Sequence, residues 1–233
     1  MDSSGKILSI LIPVFNEAAT IRAVIEKAFA VPLPGWEKEI IVVDDGSTDE
    51  TPNLLEAYVS RITRITHPAN RGKGAAIRSG IALARGEIIL IQDADLEYDP
   101  ADWPRMIAPF ENNHTLVVYG SRNLERETNA GYFHYVLGGK FLTFLMNALF
   151  GTRLTDINTG AKAFRASLLR TLPLQTNGFE FCEEVTAKIL KQGITIHEIA
   201  IQYRPRTFGE GKKIRSTDGV IGAWTILKNR IFS

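Results

Sequence analysis

Short apolar runs alternate with stretches of helical periodicity from Ile7 to Gln92, and that alternation limits the chain to very few architectures. Ile7–Val14 is an apolar run carrying Pro13 and followed by polar residues, a buried-strand signal. Glu17–Ala30 sets Ala18, Ile21, Ile25 and Ala28 on one helical face, which Val24 and Phe29 widen. Pro32, Pro34 and Gly35 break the chain before a second strand, Glu39–Val43. Ser47 precedes Thr48-Asp49-Glu50 as the expected N-cap of a helix reaching about Val59. Ile62–Thr66 reads as a third strand, Lys73–Ala84 as a helix stopped by Gly86, and Glu87–Gln92 as a fourth strand. Strands and helices in this order imply an α/β fold, a mostly parallel sheet flanked by helices. Ligands of such sheets bind beyond the carboxyl ends of the strands, so the polar residues just after each strand are where chemistry is expected.

Beyond Gln92 the pattern loosens. Leu116–Gly120 reads as another central strand and Gly131–Phe150 as an apolar helix or helix pair. Thr159–Phe164 and Ile194–Ile201 are strand-like, with a helix at Glu180–Lys191 between them. Gly219–Phe232 places Val220, Trp224, Leu227 and Ile231 on one helical face, with Lys228 and Arg230 off it. We expect one continuous domain over residues 1–233, its two halves meeting near residue 120.

Composition narrows the partners. A hydrophobic content of 45% and a charged content of 23% exclude wholesale disorder. Lys and Arg number 27 against 26 Asp and Glu, a balance that argues against a nucleic-acid partner. Cys182 is the only cysteine, so neither an intrachain disulfide nor a multi-cysteine metal cage is possible, and His67, His114, His134 and His197 lack zinc-ligand spacing. The N-terminal MDSSGKILSILIPVF fits a strand better than a signal peptide. The apolar stretch Tyr132–Phe150 is interrupted by His134, Gly138-Gly139, Lys140 and Asn147, so no clean transmembrane span is expected. These features imply a soluble, cytoplasmic protein.

The strand ends carry the acids. The second strand runs into Asp44-Asp45-Gly46-Ser47 and the fourth into Asp93-Ala94-Asp95-Leu96-Glu97. Carboxylates two residues apart on a strand project to one side, and such a pair usually holds a hard cation or a proton. Asp93, Asp95 and Glu97 supply oxygens suited to Mg²⁺ or Mn²⁺, which also takes phosphate oxygens. At the other end of the chain, Arg204, Arg206, Lys212, Lys213 and Arg215 face a single acid, Glu210, in a stretch broken by Gly209 and Gly211. We read residues 204–215 as a cationic lid able to close over a diphosphate. Gly72-Lys73-Gly74 before a helix would serve either as a phosphate cradle or as a tight packing turn.

Four motifs then occur in order: Pro13-Val14-Phe15-Asn16-Glu17, Val43-Asp44-Asp45-Gly46-Ser47-Thr48-Asp49, Asn70-Arg71-Gly72-Lys73-Gly74 with Ala76 and Gly80, and Asp93-Ala94-Asp95-Leu96. Together they resemble the family-two glycosyltransferases of GT-A fold. Gly120-Ser121-Arg122, Asp156 with Thr159-Gly160, and Arg206 with Gly209 and Lys212 make the chain similar to polyprenyl-phosphate sugar synthases, such as the dolichyl-phosphate mannose and glucose synthases. The resemblance runs from about Ile7 to Arg215. It implies that the first 120 or so residues bind an NDP-sugar and that the remainder serves the acceptor. Pro13, Phe15, Glu17, Val43 and Asp45 match the nucleoside pocket, with Asp45 accepting from the base; Phe15 stands where the family more often has Tyr. Asp93, Ala94 and Asp95 match the sugar-nucleotide and metal segment, with Asp95 as the principal metal ligand. Glu97 stands where relatives often carry Gln or Ser. Arg122, Arg206 and Lys212 match basic positions that contact the diphosphate or the acceptor phosphate.

The resemblance implies inverting transfer of a hexose from a UDP- or GDP-linked donor to an undecaprenyl- or dolichyl-type phosphate, with peripheral contact at the cytoplasmic face of the membrane. Tyr132–Phe150 would then lie at that surface and admit the lipid, or form an ordinary core helix pair. An acceptor phosphate is already anionic near neutral pH, its second pKa being about 6, and needs no base. Two alternatives stay open. A sugar-hydroxyl acceptor would require a base such as Glu183 or Glu184, and a non-catalytic module would bind the nucleotide sugar without turnover.

Overall fold

Each strand expected from the sequence forms, and all seven join one sheet. The computed structural model describes residues 5–124, 133–206 and 216–232. In chain order the elements are β1 (Lys6–Val14), α1 (Ile21–Ala30), β2 (Trp36–Asp44), α2 (Thr51–Glu56), β3 (Thr63–Thr66), α3 (Lys73–Leu83) and β4 (Ile88–Ile91). There follow α4 (Trp103–Ile107), β5 (Val117–Ser121), α5 (Phe133–Phe150), β6 (Lys162–Arg165), α6 (Ala166–Leu169), α7 (Phe181–Lys191), β7 (His197–Ala200) and α8 (Ser216–Phe232). The short 3₁₀ turns Pro100–Asp102 and Ala108–Glu111 flank α4; this stretch, with prolines at 100, 104 and 109, has too little periodicity to announce itself in the sequence.

The sheet order is β3-β2-β1-β4-β6-β5-β7. Strands β1 to β4 are mutually parallel, and β7 is parallel to β5. β6 runs antiparallel to both neighbours, a reversal the sequence does not reveal. Because β6 lies between β4 and β5, strands from both halves of the chain share one sheet. Both faces are covered, which is why the strands read as continuous apolar runs. Leu8, Ile10, Ile12 and Val14 of β1 pack with α1 residues Ile21, Val24 and Ile25 on one face. Leu11 turns to the other, against α3 and its neighbours, in a core that also takes in α5, α7 and α8.

Several helices are shorter than their periodicity suggested. α1 begins at Ile21 rather than Glu17, and α2 spans Thr51–Glu56 only. The residues given up instead tie two strand ends together. Ser47 does not cap α2; its Oγ accepts from the backbone N–H of Asn16 (2.9 Å). Thr51 Oγ1 accepts from Glu17 N–H (2.9 Å), and Asp49 Oδ2 from Ala18 N–H (3.1 Å). Asn16 itself has φ +50°, a left-handed conformation that Asn tolerates better than most residues. Gly131–Phe150 forms one helix over its described part rather than a pair.

Candidate active site

The register aligns the ends of β1, β2 and β4. Val14 lies beside Asp44, Leu11 beside Ile91, and the turns that follow converge at one edge of the sheet. After β4 the chain turns through Leu96 at φ +61°, a strained position for a residue with a side chain, at a cost of about 1–3 kcal/mol. That turn lets Asp95 Oδ1 accept from Glu97 N–H (3.1 Å) and sets both carboxylates toward the segment after β7.

Arg206 joins these ends. Its Nη1 donates to Glu17 Oε2 (2.8 Å), and Nη2 donates to Glu17 Oε1 (3.0 Å) and to Asp95 Oδ2 (3.1 Å). Its backbone N–H donates to Glu97 Oε1 (2.7 Å). A second arm reaches Arg122: Tyr203 Oη donates to Glu97 Oε2 (3.1 Å), and the Arg122 guanidinium lies 5.0 Å from the centre of the Tyr203 ring. Arg122 is held in turn by Asp156, Nε to Oδ2 at 2.6 Å and Nη2 to Oδ1 at 2.8 Å. Burial pushes the Asp156 carboxyl up, but the Arg122 charge and hydrogen bonds outweigh it and hold the acid below its usual range. Glu17, Asp95, Glu97, Arg122 and Arg206, read from distant parts of the sequence, thus form one network. Lys212 lies outside the described residues, as do Gly209 and most of the expected lid.

The structure redistributes other expected roles. Asp45 is buried, and its oxygens are engaged by His67 Nδ1 (2.6 Å) and by the N–H groups of Arg71 (3.0 Å) and Gly72 (2.7 Å). Asp45 thus anchors the loop over the end of β2. Val43 belongs to the core beneath α3, where Gly80 packs against it, so it lines no open wall. Pro13 and Phe15 are half-buried at the mouth of the same edge, and Ala94 is buried, its carbonyl accepting from Thr20 Oγ1 (2.7 Å). Glu184 accepts from Gln175 N–H, Thr176 N–H, Thr176 Oγ1 and Lys188 Nζ, a structural tie of the 175–176 loop that leaves it unsuited as a base. Glu183 is fully enclosed, with Asn158 Nδ2 donating to it; burial pushes its carboxyl up to about 7.

Gly72-Lys73-Gly74 resolves as a packing turn. Two first-turn N–H groups of α3 are taken by the neighbouring loop, Gly74 donating to Gly178 O (3.2 Å) and Ala75 to Asn177 O (3.1 Å), which favours the packing turn over a phosphate cradle. Lys73 turns to the site instead, with Nζ 2.5 Å from Asp93 Oδ1. Gly160 backs the same carboxylate so closely that any Cβ would overlap Asp93 Oδ2. Lys73, Tyr203, His67 and Asn158 are the participants that sequence reasoning missed. Only Lys73 carried a signal, as the basic residue between two glycines.

Whether these residues fit a divalent cation follows from the charges. Asp93 is neutralised by Lys73, and Glu97 is turned onto Tyr203 and the Arg206 backbone, so the expected three-carboxylate set does not assemble. No group of three His, Cys, Asp or Glu is arranged as a metal cage among the described residues. Asp95 differs. Burial, then the charges of Asp93 and Glu97, push its carboxyl up to about 7, with Arg206 opposing. Among the described residues the one cation now on this carboxylate, Arg206, is shared with Glu17, so a hard cation suits it, and Mg²⁺ commonly takes only one or two protein carboxylates plus substrate phosphates. Asp95 therefore fits as a single protein ligand.

This seven-stranded sheet, with acids at its parallel strand ends and arginines brought over them, has the architecture of the GT-A glycosyltransferases. The profile of glycosyl transferase family 2 matches residues 9–172, and the chain belongs to that family. It is 29% identical over 210 residues to a dodecaprenyl-phosphate galacturonate synthase of Rhizobium johnstonii, covering 88% of this chain and 61% of that protein. It is 28% identical over 215 residues to an undecaprenyl-phosphate 4-deoxy-4-formamido-L-arabinose transferase of Pseudomonas aeruginosa, covering 88% and 60%. The chain thus spans about three-fifths of the length of these relatives. Among solved structures, glucosyl-3-phosphoglycerate synthase of Mycobacterium tuberculosis, in complex with Mn²⁺, UDP and glucosyl-3-phosphoglycerate, superposes with a TM-score of 0.75. That match covers 97% of this chain and 81% of the other at 23% identity.

Proposed function

We propose that this chain catalyses inverting transfer of a hexosyl group from an NDP-sugar to a polyprenyl phosphate. The observation that carries the reading is Arg206, whose guanidinium spans Glu17 after β1 and Asp95 after β4 and so marks one anion-handling centre at the strand ends. The relatives named for dodecaprenyl- and undecaprenyl-phosphate substrates support the acceptor class.

Asp95 would hold Mg²⁺ or Mn²⁺. Bound there, the cation would neutralise the donor diphosphate and polarise the bond to the anomeric carbon. Arg206, now balanced between Glu17 and Asp95, is positioned to pass from Asp95 to the diphosphate as that charge arrives. Arg122, oriented by Asp156 and stacked on Tyr203, presents a fixed cation toward the acceptor phosphate. The acceptor oxygen attacks the anomeric carbon opposite the leaving diphosphate. It needs no base, and neither candidate base is available: Glu184 is spent on a loop, and Glu183 is enclosed behind Asn158. A hydroxyl acceptor, which would demand one of them, is correspondingly disfavoured.

The test is a thermal-shift panel of UDP, GDP and their sugars with Mn²⁺, followed by transfer of labelled hexose to detergent-dispersed undecaprenyl phosphate and to free sugars. We expect one nucleotide to stabilise the protein and the lipid phosphate alone to be glycosylated. Silence to every nucleotide, or transfer only to hydroxyls, would overturn the proposal.

A further inference from the structure

His67 closes a buried polar relay apart from the Arg206 network. Its Nδ1 lies 2.6 Å from Asp45 Oδ1 and its Nε2 2.9 Å from Ser79 Oγ. His67 and Asp45 are only 5% and 3% exposed, and Ser79 is half-buried. A carboxylate oxygen can only accept, so the Nδ1 hydrogen points at Asp45, and Nε2 is left to the Ser79 hydroxyl, which can donate or accept. The linkage Asp45–His67–Ser79 has the order of a nucleophilic triad. Ser79 nevertheless lies in the middle of α3, where backbone N–H groups are spent on the helix rather than gathered around an oxyanion. The relay therefore orients; it does not attack.

What it orients is the start of α3. Asp45 Oδ2 accepts from the Gly72 N–H (2.7 Å) just before the helix, and Ser79 stands two turns further along the same face. His67 and Asp45 thus grip α3 at two levels, which fixes both its axial position and its rotation. The base of this clamp is held as well. The His67 N–H donates to the Asp44 carbonyl (2.8 Å), and Gly46 lies so close to Ala69 and Asn70 that a Cβ would overlap their backbone. Lys73 follows Gly72 directly, and its Nζ reaches Asp93 Oδ1 at 2.5 Å. Rotation of α3 would swing that ammonium off the acid. Apolar side chains of similar volume could hold the helix as firmly, but hydrogen bonds add direction, which is what the Lys73–Asp93 contact requires.

We infer that His67 is a positioning residue for the donor site: by bonding Asp45 and Ser79 together it sets the start of α3, and hence the direction from which Lys73 meets Asp93. That role rests on the proposed function only in taking Asp93 as part of the NDP-sugar site. A clamp that merely stabilised the fold would behave differently when one ring nitrogen is lost. An asparagine amide overlays Nδ1 and a glutamine amide overlays Nε2, so His67→Asn keeps the bond to Asp45 and His67→Gln keeps only the bond to Ser79.

The test is calorimetric titration of the full chain and its variants with UDP and with GDP, each in the presence of Mn²⁺. We expect His67→Gln to raise the Kd of the nucleotide that the parent binds by about fivefold or more, and His67→Asn to bring it back to within about twofold of the parent. Ser79→Ala is a milder change that releases the α3 end of the clamp, should raise the same Kd roughly threefold, and decides the matter if His67→Gln does not fold. In hexose transfer the loss should fall on the KM of the donor and leave that of the acceptor in place. Parent-like binding by His67→Gln or Ser79→Ala, binding by His67→Asn as weak as by His67→Gln, or equal losses in the two KM values would each overturn the positioning role. A parent that binds neither nucleotide removes the proposed function and this role together; a parent that binds, with variants that match it, removes the role alone.

Discussion

Asp95 and Glu183 are both carboxyls raised to about 7 chiefly by burial, but their surroundings give them different fates. Asp95 sits among other acids and opposite Arg206, whereas Glu183 faces Asn158, Gly222 and the buried Lys162. For Glu183 the folded pKa lies above the ordinary value of 4.5, so between pH 4.5 and about 7 the native state keeps a proton that the unfolded chain has lost. Its contribution is complete below that window and is lost as pH rises through it, about 3 kcal/mol in all. Glu183→Gln should therefore flatten this part of the stability–pH curve, as urea denaturation of both proteins at pH 5 and pH 8 would show; parallel curves would refute the assignment. Asp156 obeys the opposite logic. Asp156→Ala leaves Arg122 a half-buried, unpaired cation and should cost about 3–5 kcal/mol, while Asp156→Asn, retaining the shape, should cost less in the same measurement. Sequence alone could not rank these acids. Asp45, Glu97 and Glu184 look as free in the sequence as Asp95, and only their bonds to His67, Tyr203 and Thr176 separate them.

At the scale of elements, periodicity was a good guide to what forms and a poor guide to where it ends. β1, β2 and β4 appear where their apolar runs placed them, because strands covered on both faces must be apolar throughout. The ends of α1 and α2 retreat because Ser47, Asp49 and Thr51 bond to the Asn16–Ala18 turn, a pairing across about thirty residues that no local signal encodes. The turn before α3 shows the same limit. Gly72 has φ +97° and faces the Asn177 carbonyl, while its N–H donates to Asp45 Oδ2. Gly72→Ala should lose at least about 1–3 kcal/mol of stability from backbone conformation alone, with a visible drop in thermal midpoint. An unchanged midpoint would mean that the turn relaxes freely. α8 is the strongest case: its stripe of Val220, Trp224 and Ile231 was legible, but not the side of the helix the core would take.

For the whole molecule, a donor and cation bound at the strand ends would bridge β1, β4 and the segment after β7, and so resist global unfolding. A nucleotide at a hundred times its Kd adds about 2.7 kcal/mol, or roughly 5–10 °C in Tm for a chain of this length. We expect that shift for the parent with Mn²⁺, its reduction by a chelator, and its loss in Asp95→Asn; an Asp95→Asn protein that responds like the parent would remove Asp95 as the cation ligand. The near-neutral total charge conceals the arrangement that makes this possible. Acids stand after β1 and β4, and the arginine that meets them, Arg206, comes from the far half of the chain. By itself, the sequence determined the alternation of strands and helices, the parallel half of the sheet and the acidic strand ends, since each depends on residues near one another along the chain. Only the tertiary structure decided the antiparallel β6, the tie of Asp45 to its loop, the meeting of Arg206 with Glu17 and Asp95, and the outward turn of α8. Those outcomes depend on contacts between segments far apart in sequence, where packing and burial, not local pattern, determine which group faces which.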